Sequence, residues 1–118
     1  MVLIKDNHLA AVGGNIAAAV QAARKKSSAL KIEVEADTLE QAVKAAEAGA
    51  DIVLLDNMTP DQLRSAVKLI GGRCKTEASG GVTLASVRQI AETGVDYISV
   101  GALTHSAPAV DIGLDFQQ

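Results

Sequence analysis

At 118 residues the chain is one domain at most, large enough for a hydrophobic core but close to the lower limit for an α/β enzyme. Its net charge of -3, with lysines and arginines scattered along the chain, gives no basic stripe, and Tyr97 and Phe116 are too few aromatics for a base-stacking platform, which argues against nucleic acid as a partner. No apolar stretch approaches the length of a membrane span, and the single cysteine, Cys74, excludes an internal disulfide and a cysteine-based zinc site, so a soluble cytoplasmic protein is expected.

The elements follow in order. The run Val2 to Ile4 reads as a strand, and Lys5 and Asp6 interrupt it too early for a signal peptide. A loop carries Lys5, Asp6, Asn7 and His8, and Gly13-Gly14 reads as a plain turn. The Ala-rich stretch Asn15 to Lys26 is the first helix, its last turn holding Arg24, Lys25 and Lys26 at the negative end of the dipole. Leu30 to Glu35 is the second strand. Thr38 with Gln41 fits a capping box, with Leu39, Ala42, Val43 and Ala46 as the apolar face of a helix that Gly49 ends.

Asp51 to Leu55 is the third strand, and Thr59 followed by Pro60 opens a helix whose Leu63, Val67 and Ile70 share a face before Gly71-Gly72. Cys74 to Ala78 is the fourth strand. Thr83 opens a last helix, with Leu84, Val87, Ile90 and Ala91 expected to point inward and Gly94 closing it, and Tyr97 to Val100 is the fifth strand. Strand and helix alternating at this spacing imply right-handed crossovers and a parallel sheet, an α/β class, and the absence of an opening G-x-G-x-x-G favours part of a TIM-like barrel over a dinucleotide-binding sheet. Five strands cannot close an eight-stranded barrel, so a fragment, an oligomer or both is expected.

Chemistry should gather where strands end, because the loops that follow are free to vary. Glu35 and Asp56 end consecutive strands; as a pair they can bind ribose hydroxyls or a hydrated Mg²⁺, or they can serve as a strand-end Glu and a helix-capping Asp. Strand alternation puts Glu33 on the face of Glu35 one layer deeper, where it would need a cation, with Lys75 or Lys5 as the candidates. Ser79-Gly80-Gly81 and Gly101-Ala102 are turns without bulky side chains, where backbone N–H groups and the dipole of a following helix can hold a phosphate. Thr104 and His105 can add donors there; a histidine at a helix start is otherwise a cap or a surface residue. Lys5 and His8 would complement a polyanion. No arrangement for nucleophilic catalysis is apparent, and Cys74, at a strand start, reads as packing.

Taken together, Lys5-Asp6-Asn7-His8, Glu33-Val34-Glu35, Leu55-Asp56-Asn57, Ser79-Gly80-Gly81, Gly94-Val95-Asp96-Tyr97, Val100 to His105 and Asp111-Ile112-Gly113-Leu114-Asp115 resemble quinolinate phosphoribosyltransferase. The likeness runs from the first residue to about Asp115 in the family's order. It implies the C-terminal part of that family's barrel over residues 1–118, with the N-terminal domain and the upstream barrel segment absent. The implied reaction joins quinolinate and phosphoribosyl pyrophosphate, with Mg²⁺, into nicotinate mononucleotide, pyrophosphate and carbon dioxide, a step toward NAD.

The resemblance further implies that Lys5 contacts substrate, that Glu35 and Asp56 surround ribose and metal, that Ser79, Gly80, Gly81 and Gly101 bind the 5′-phosphate with support from His105, and that sites are completed across a dimer. The family's quinolinate-binding arginines have no counterpart, since Arg24, Arg64, Arg73 and Arg88 lie in or beside helices. The chain alone is accordingly expected to be inactive. The alternatives are a paralogue of the same fold associated with molybdenum transport, acting on another base, and a non-catalytic phosphate-binding half-barrel.

Overall fold

The computed structural model describes residues 1–105 together with Pro108 and Val110. The motif Asp111 to Asp115 and Phe116 therefore lie outside the described residues. The elements are β1 (Val2–Ile4), α1 (Asp6–Ala11), α2 (Ile16–Lys26), β2 (Ile32–Ala36), α3 (Leu39–Glu47), β3 (Ile52–Asp56), α4 (Pro60–Ile70), β4 (Lys75–Ser79), α5 (Val87–Ala91), β5 (Tyr97–Ile98) and α6 (Ala102–His105).

All strand pairs are parallel and the spatial order is β1-β2-β3-β4-β5, the order of the chain. Right-handed crossovers in an unbroken sequential order all travel the same way, so the helices accumulate on one face and leave the other without them. That is the geometry of a barrel wall rather than of a doubly wound sheet. Ile32, Val34, Ala36, Val53, Leu55 and Ala78 supply the sheet side of the core, against Ile16, Val20, Ala42, Ala45, Ala46, Leu63, Ala66 and Ile70 from the helices. Alanine dominates the helix side because a small side chain lets the helix backbone settle close on the sheet. Each fully buried large side chain, such as Ile32, Leu55 or Leu63, contributes on the order of 1.5–3 kcal/mol of burial energy.

Helix starts follow the local chemistry where a cap is present. Thr38 Oγ1 accepts from Gln41 N at 3.2 Å while Gln41 Oε1 accepts from Thr38 N at 3.1 Å. Thr59 and Gln62 repeat the arrangement, with Thr59 N donating to Gln62 Oε1 at 2.9 Å, and Pro60 sits at the first helical turn. Asn15 Oδ1 caps α2 through Ala18 N at 3.0 Å.

Two expectations fail. Thr83 does not open a helix: Thr83 and Ser86 bond one another in a closed turn, Thr83 N donating to Ser86 Oγ at 2.9 Å, and α5 begins only at Val87. Two hydroxyls spaced three apart satisfied each other and delayed the helix, which leaves Leu84 97% exposed instead of inward. Ala91 is exposed as well, so Ile90, with half-buried Val87, carries that face. The loops after β1 and β5 also hold the short helices α1 and α6, which lack the length for a legible apolar period.

Candidate functional site

The helix-free face of the sheet is built by strand alternation. Leu3 pairs in register with Glu33, Glu33 with Ile52, Glu35 with Leu54, Ile52 with Lys75, Leu54 with Glu77, Asp56 with Ser79 and Glu77 with Tyr97, so these side chains share one face. Glu35 and Asp56 thus stand on the same side of the sheet, on neighbouring strands, at the carboxyl-terminal rim.

Glu35 is partly buried, and burial pushes its carboxyl up; Lys5 pulls it back down, while the charges of Asp56, Asp37 and Asp6 push it up again. Lys5 Nζ lies 4.0 Å from Glu35 Oε2. Half of the Lys5 side chain remains exposed, so this cation can turn toward a ligand at little cost. His8 is drawn into local structure: its Nδ1 accepts the Lys5 backbone N–H at 3.1 Å, which puts the ring proton of a neutral His8 on Nε2.

The ends of β3 and β4 are stitched together by Asn57. Its backbone N–H donates to Ser79 O at 2.9 Å and its Nδ2 to Asp56 Oδ2 at 2.7 Å. Among the described residues Asn57 alone of the non-glycines has a positive φ, 53°, the left-handed conformation that asparagine tolerates better than most residues. Gly80, with φ 93°, has to be glycine: a Cβ there would overlap the Asn57 side chain and come within 2.9 Å of its backbone nitrogen. Gly81 follows at φ 58° with open space where a Cβ would be. The next strand delivers Gly101, over which the His105 ring lies so closely that a Cβ would stand 2.8 Å from Nε2.

Of these turn positions Gly81 has open space beside it, the condition for close approach of a phosphate, whereas the Asn57 side chain lies against Gly80 and the His105 ring against Gly101. The expected help from a following helix dipole is lacking at Gly80-Gly81, since α5 starts six residues later at Val87, and α6 after Gly101 is only four residues long. Any anion grip here rests on turn amides, with Thr104, whose hydroxyl donates to Gly101 O at 2.8 Å, tying the second turn together.

One layer deeper, Glu33 is 3% exposed and its Oε1 has no hydrogen-bond partner. Burial pushes its carboxyl up, reinforced by Glu77 through charge and a shared hydrogen bond, and by Glu35. Glu77 also accepts the Ser99 hydroxyl. Neither cation expected for Glu33 serves it: Lys75 Nζ is held 2.6 Å from Asp96 Oδ1, and Lys5 is with Glu35. Asp96 wins Lys75 because it is itself fixed at the strand start by Thr76 N at 2.9 Å.

For a divalent metal the donor set is modest. No group of three or more His, Cys, Asp or Glu that could hold a metal ion exists among the described residues, so this chain offers the Glu35 and Asp56 carboxylates and no closed cage. Two hard oxygen donors with room for water and phosphate oxygens fit magnesium, which keeps several waters and few protein ligands.

The family model for "Quinolinate phosphoribosyl transferase, C-terminal domain" matches residues 1–115. The chain belongs to this family. It is 46% identical over 118 residues to the nicotinate-nucleotide pyrophosphorylase (carboxylating) of Homo sapiens and 43% identical over 117 residues to that of Rattus norvegicus, in each case covering 97% of this chain and 39% of the relative. The crystal structure of nicotinate-nucleotide pyrophosphorylase from Ehrlichia chaffeensis superposes with a TM-score of 0.86 at 44% identity, over 97% of this chain and 41% of that one. The chain thus spans about two fifths of the length of these relatives.

Within this transferase-family fold the sequence-predicted residues Lys5, Glu35, Asp56, Ser79, Gly80, Gly81, Gly101 and His105 all fall on or beside the carboxyl-terminal rim of the sheet. Reading the sequence missed Asn57 as the clamp between two rim turns; the signal was available in Asp56-Asn57, a pair disposed to turns and to positive φ. It also missed Ser99, whose hydroxyl Glu77 accepts. The arginines are engaged away from the rim, Arg24 with Asp51, Arg64 with Asp61, Arg73 with Glu47 and Arg88 with Glu92. Cys74 is half-buried against the core and burial pushes its thiol up, as befits packing. No described helix is long and apolar enough to cross a membrane.

Proposed function

We propose that this chain is the phosphoribosyl-binding portion of an enzyme that transfers the phosphoribosyl group of phosphoribosyl pyrophosphate to quinolinate, releasing pyrophosphate and carbon dioxide and forming nicotinate mononucleotide for NAD synthesis. The observation that carries it is the rim itself: two carboxylates on one face beside two glycine turns, with open space at Gly81. The carboxylating relatives favour this reading over a paralogue acting on another base. Ser79, Gly80, Gly81 and Gly101 hold the 5′-phosphate, with His105 supporting the second turn. Glu35 and Asp56 take the ribose hydroxyls.

As pyrophosphate leaves, positive charge builds on the ribose, and fixed carboxylates nearby stabilise it where little water competes. Lys5, already facing Glu35, meets the negative charge of the phosphates or of the base, and His8 holds the Lys5 backbone in place. Magnesium, when bound through Glu35 and Asp56, supplies charge neutralisation of the leaving pyrophosphate. Because the arginines are committed to helix-side pairs, the carboxylates of quinolinate are held by residues outside this chain, and the working unit is at least a homodimer in the cytoplasm. Residues 1–118 by themselves bind but do not turn over.

The test is a titration of the chain with ribose 5-phosphate and Mg²⁺, followed by backbone amide NMR. Shifts at Gly80, Gly81 and Gly101 with no quinolinate turnover are expected. Saturation without response at those amides would sink the assignment, and turnover by the isolated chain would overturn the division of labour.

A further inference from the structure

The two glycine turns are fastened to their neighbours unequally. The turn after β4 is held to β3 by Asn57, whose backbone N–H donates to Ser79 O at 2.9 Å. Toward β5 the pairing is short: the register covers Glu77 with Tyr97 and Ala78 with Ile98, and is extended only by Ser99 N donating to Ala78 O at 2.9 Å. Gly101 O accepts Thr104 N at 2.9 Å and the Thr104 hydroxyl at 2.8 Å, bonds that close the second turn on itself. Among the described residues no backbone hydrogen bond joins residues 79–82 to residues 100–102.

One side-chain contact reaches across. Strand alternation puts Ser99 on the face of Tyr97 and Glu77, two residues nearer the rim. The longer Glu77 leans along its strand to meet it, and Glu77 Oε1 accepts the Ser99 hydroxyl. An exposed bond of this kind contributes little by itself, because water competes for both groups. Here the acceptor is not free to wander. Glu77 is half-buried, and its carboxyl also shares a hydrogen bond with Glu33, which is 3% exposed on β2. Glu33, Glu77 and Ser99 thus form a brace from β2 through β4 to the end of β5, anchored at its buried end.

We propose that Glu77 and Ser99 are positioning residues, a clasp that fixes the Gly101 turn against the Gly80-Gly81 turn and so sets the gap that a phosphate spans. Its consequence for binding rests on the phosphoribosyl reading above. An anion held by donors from two turns loses the donors of one when the turns part by about 1 Å, and positioning errors of that size are costly. Neither side chain has to touch the ligand. Asn57 secures the β3 side of the first turn and the clasp secures its β5 side, so both rim junctions are tied by one polar side chain each.

Ser99→Ala removes the hydroxyl at an exposed position, and Ser99→Thr restores it. Without ligand, amide hydrogen exchange at residue 99 should quicken at least tenfold in Ser99→Ala, with Val53 in the centre of the sheet unchanged and Ser99→Thr close to wild type. With ribose 5-phosphate and Mg²⁺ in a calorimetric titration, Ser99→Ala should bind at least fivefold more weakly and Ser99→Thr within twofold of wild type. Glu77→Ala should match Ser99→Ala, and the double variant should be no weaker than either, because the two residues act as one unit; if Glu77→Ala does not fold, the Ser99 pair decides alone. Wild-type affinity in Ser99→Ala, equal losses in Ser99→Ala and Ser99→Thr, or exchange that quickens at Val53 as much as at residue 99 would overturn the clasp. Absence of ribose 5-phosphate binding by wild type would instead sink the function proposed above, and the exchange rates would then decide the clasp by themselves.

Discussion

The Asn57 side chain lies against Gly80, the two residues fitting only because Asn57 accepts a left-handed φ of 53° and Gly80 has no Cβ. The contact fastens the end of β3 to the turn after β4, and so sets the spacing between the Asp56 carboxylate and the Gly80-Gly81 amides. Neither residue needs to touch substrate for both to govern the site.

Asn57→Gly should therefore be nearly neutral for stability, whereas Asn57→Ala should cost about 1–2 kcal/mol, the penalty for holding an ordinary residue in the left-handed region. Gly80→Ala should cost more, since strain and overlap with the Asn57 backbone add. Urea unfolding midpoints of the three variants check the order, and equal midpoints for Asn57→Gly and Asn57→Ala would refute the conformational argument.

Asp51 and Asp96 play equivalent parts two strands apart. Each accepts a backbone N–H near the start of the preceding strand, Ile32 N at 2.7 Å and Thr76 N at 2.9 Å, and each pairs with a cation, Arg24 at 2.7 Å and Lys75 at 2.6 Å. The Ile32 amide holds the Asp51 carboxyl low, with help from Arg24, and Lys75 with the Thr76 amide does the same for Asp96. A carboxyl lowered by folding adds stability above its unfolded pKa, and that stability is lost as pH falls through the folded value. Wild type should thus lose stability below the ordinary aspartate range, and Asp51→Ala and Asp96→Ala should lose less over the same acid interval. At neutral pH each variant should be weaker by roughly 1–3 kcal/mol, the cost of an orphaned strand amide, as measured by denaturation at pH 7 and pH 3.

Glu33 has the opposite sign. Its carboxyl is raised by burial and by Glu77, so the folded chain favours the proton, and stability declines as pH climbs from the ordinary glutamate range through the raised folded value. Glu33→Gln, which keeps the shape without the charge, should match wild type in acid and exceed it at pH 7.5. A thermal midpoint for the variant below that of wild type at pH 7.5 would contradict this.

The second glycine turn is closed by the His105 ring over Gly101. Gly101→Ala should push that ring aside and weaken ribose 5-phosphate binding at least tenfold, with a smaller effect on stability because the turn is exposed. Isothermal titration of wild type and variant with ribose 5-phosphate and Mg²⁺ measures the difference; unchanged affinity would remove Gly101 from the phosphate grip.

Much of this protein could be read along the chain because its determinants are local. The cap Thr38 with Gln41 and the start at Thr59 followed by Pro60 place their helices to the first residue, and the alternation of Glu33, Val34 and Glu35 tells which side chains share a face. The sequence by itself determined the α/β class, the parallel strands and the gathering of Lys5, Glu35, Asp56 and the glycine turns at strand ends. Tertiary structure alone decided which partners those residues keep. Lys75 had Glu33 and Asp96 within its choice, and only packing of β4 against β5 gave it to Asp96, which the Thr76 amide already held. Thr83 accepts the Ser86 amide as a cap would, yet α5 begins only at Val87, and Asn57 showed its role only when β3 and β4 lay side by side. Hydrogen bonds and ion pairs between strands are contests among several eligible groups, and their outcome depends on distances that spacing along one chain does not contain.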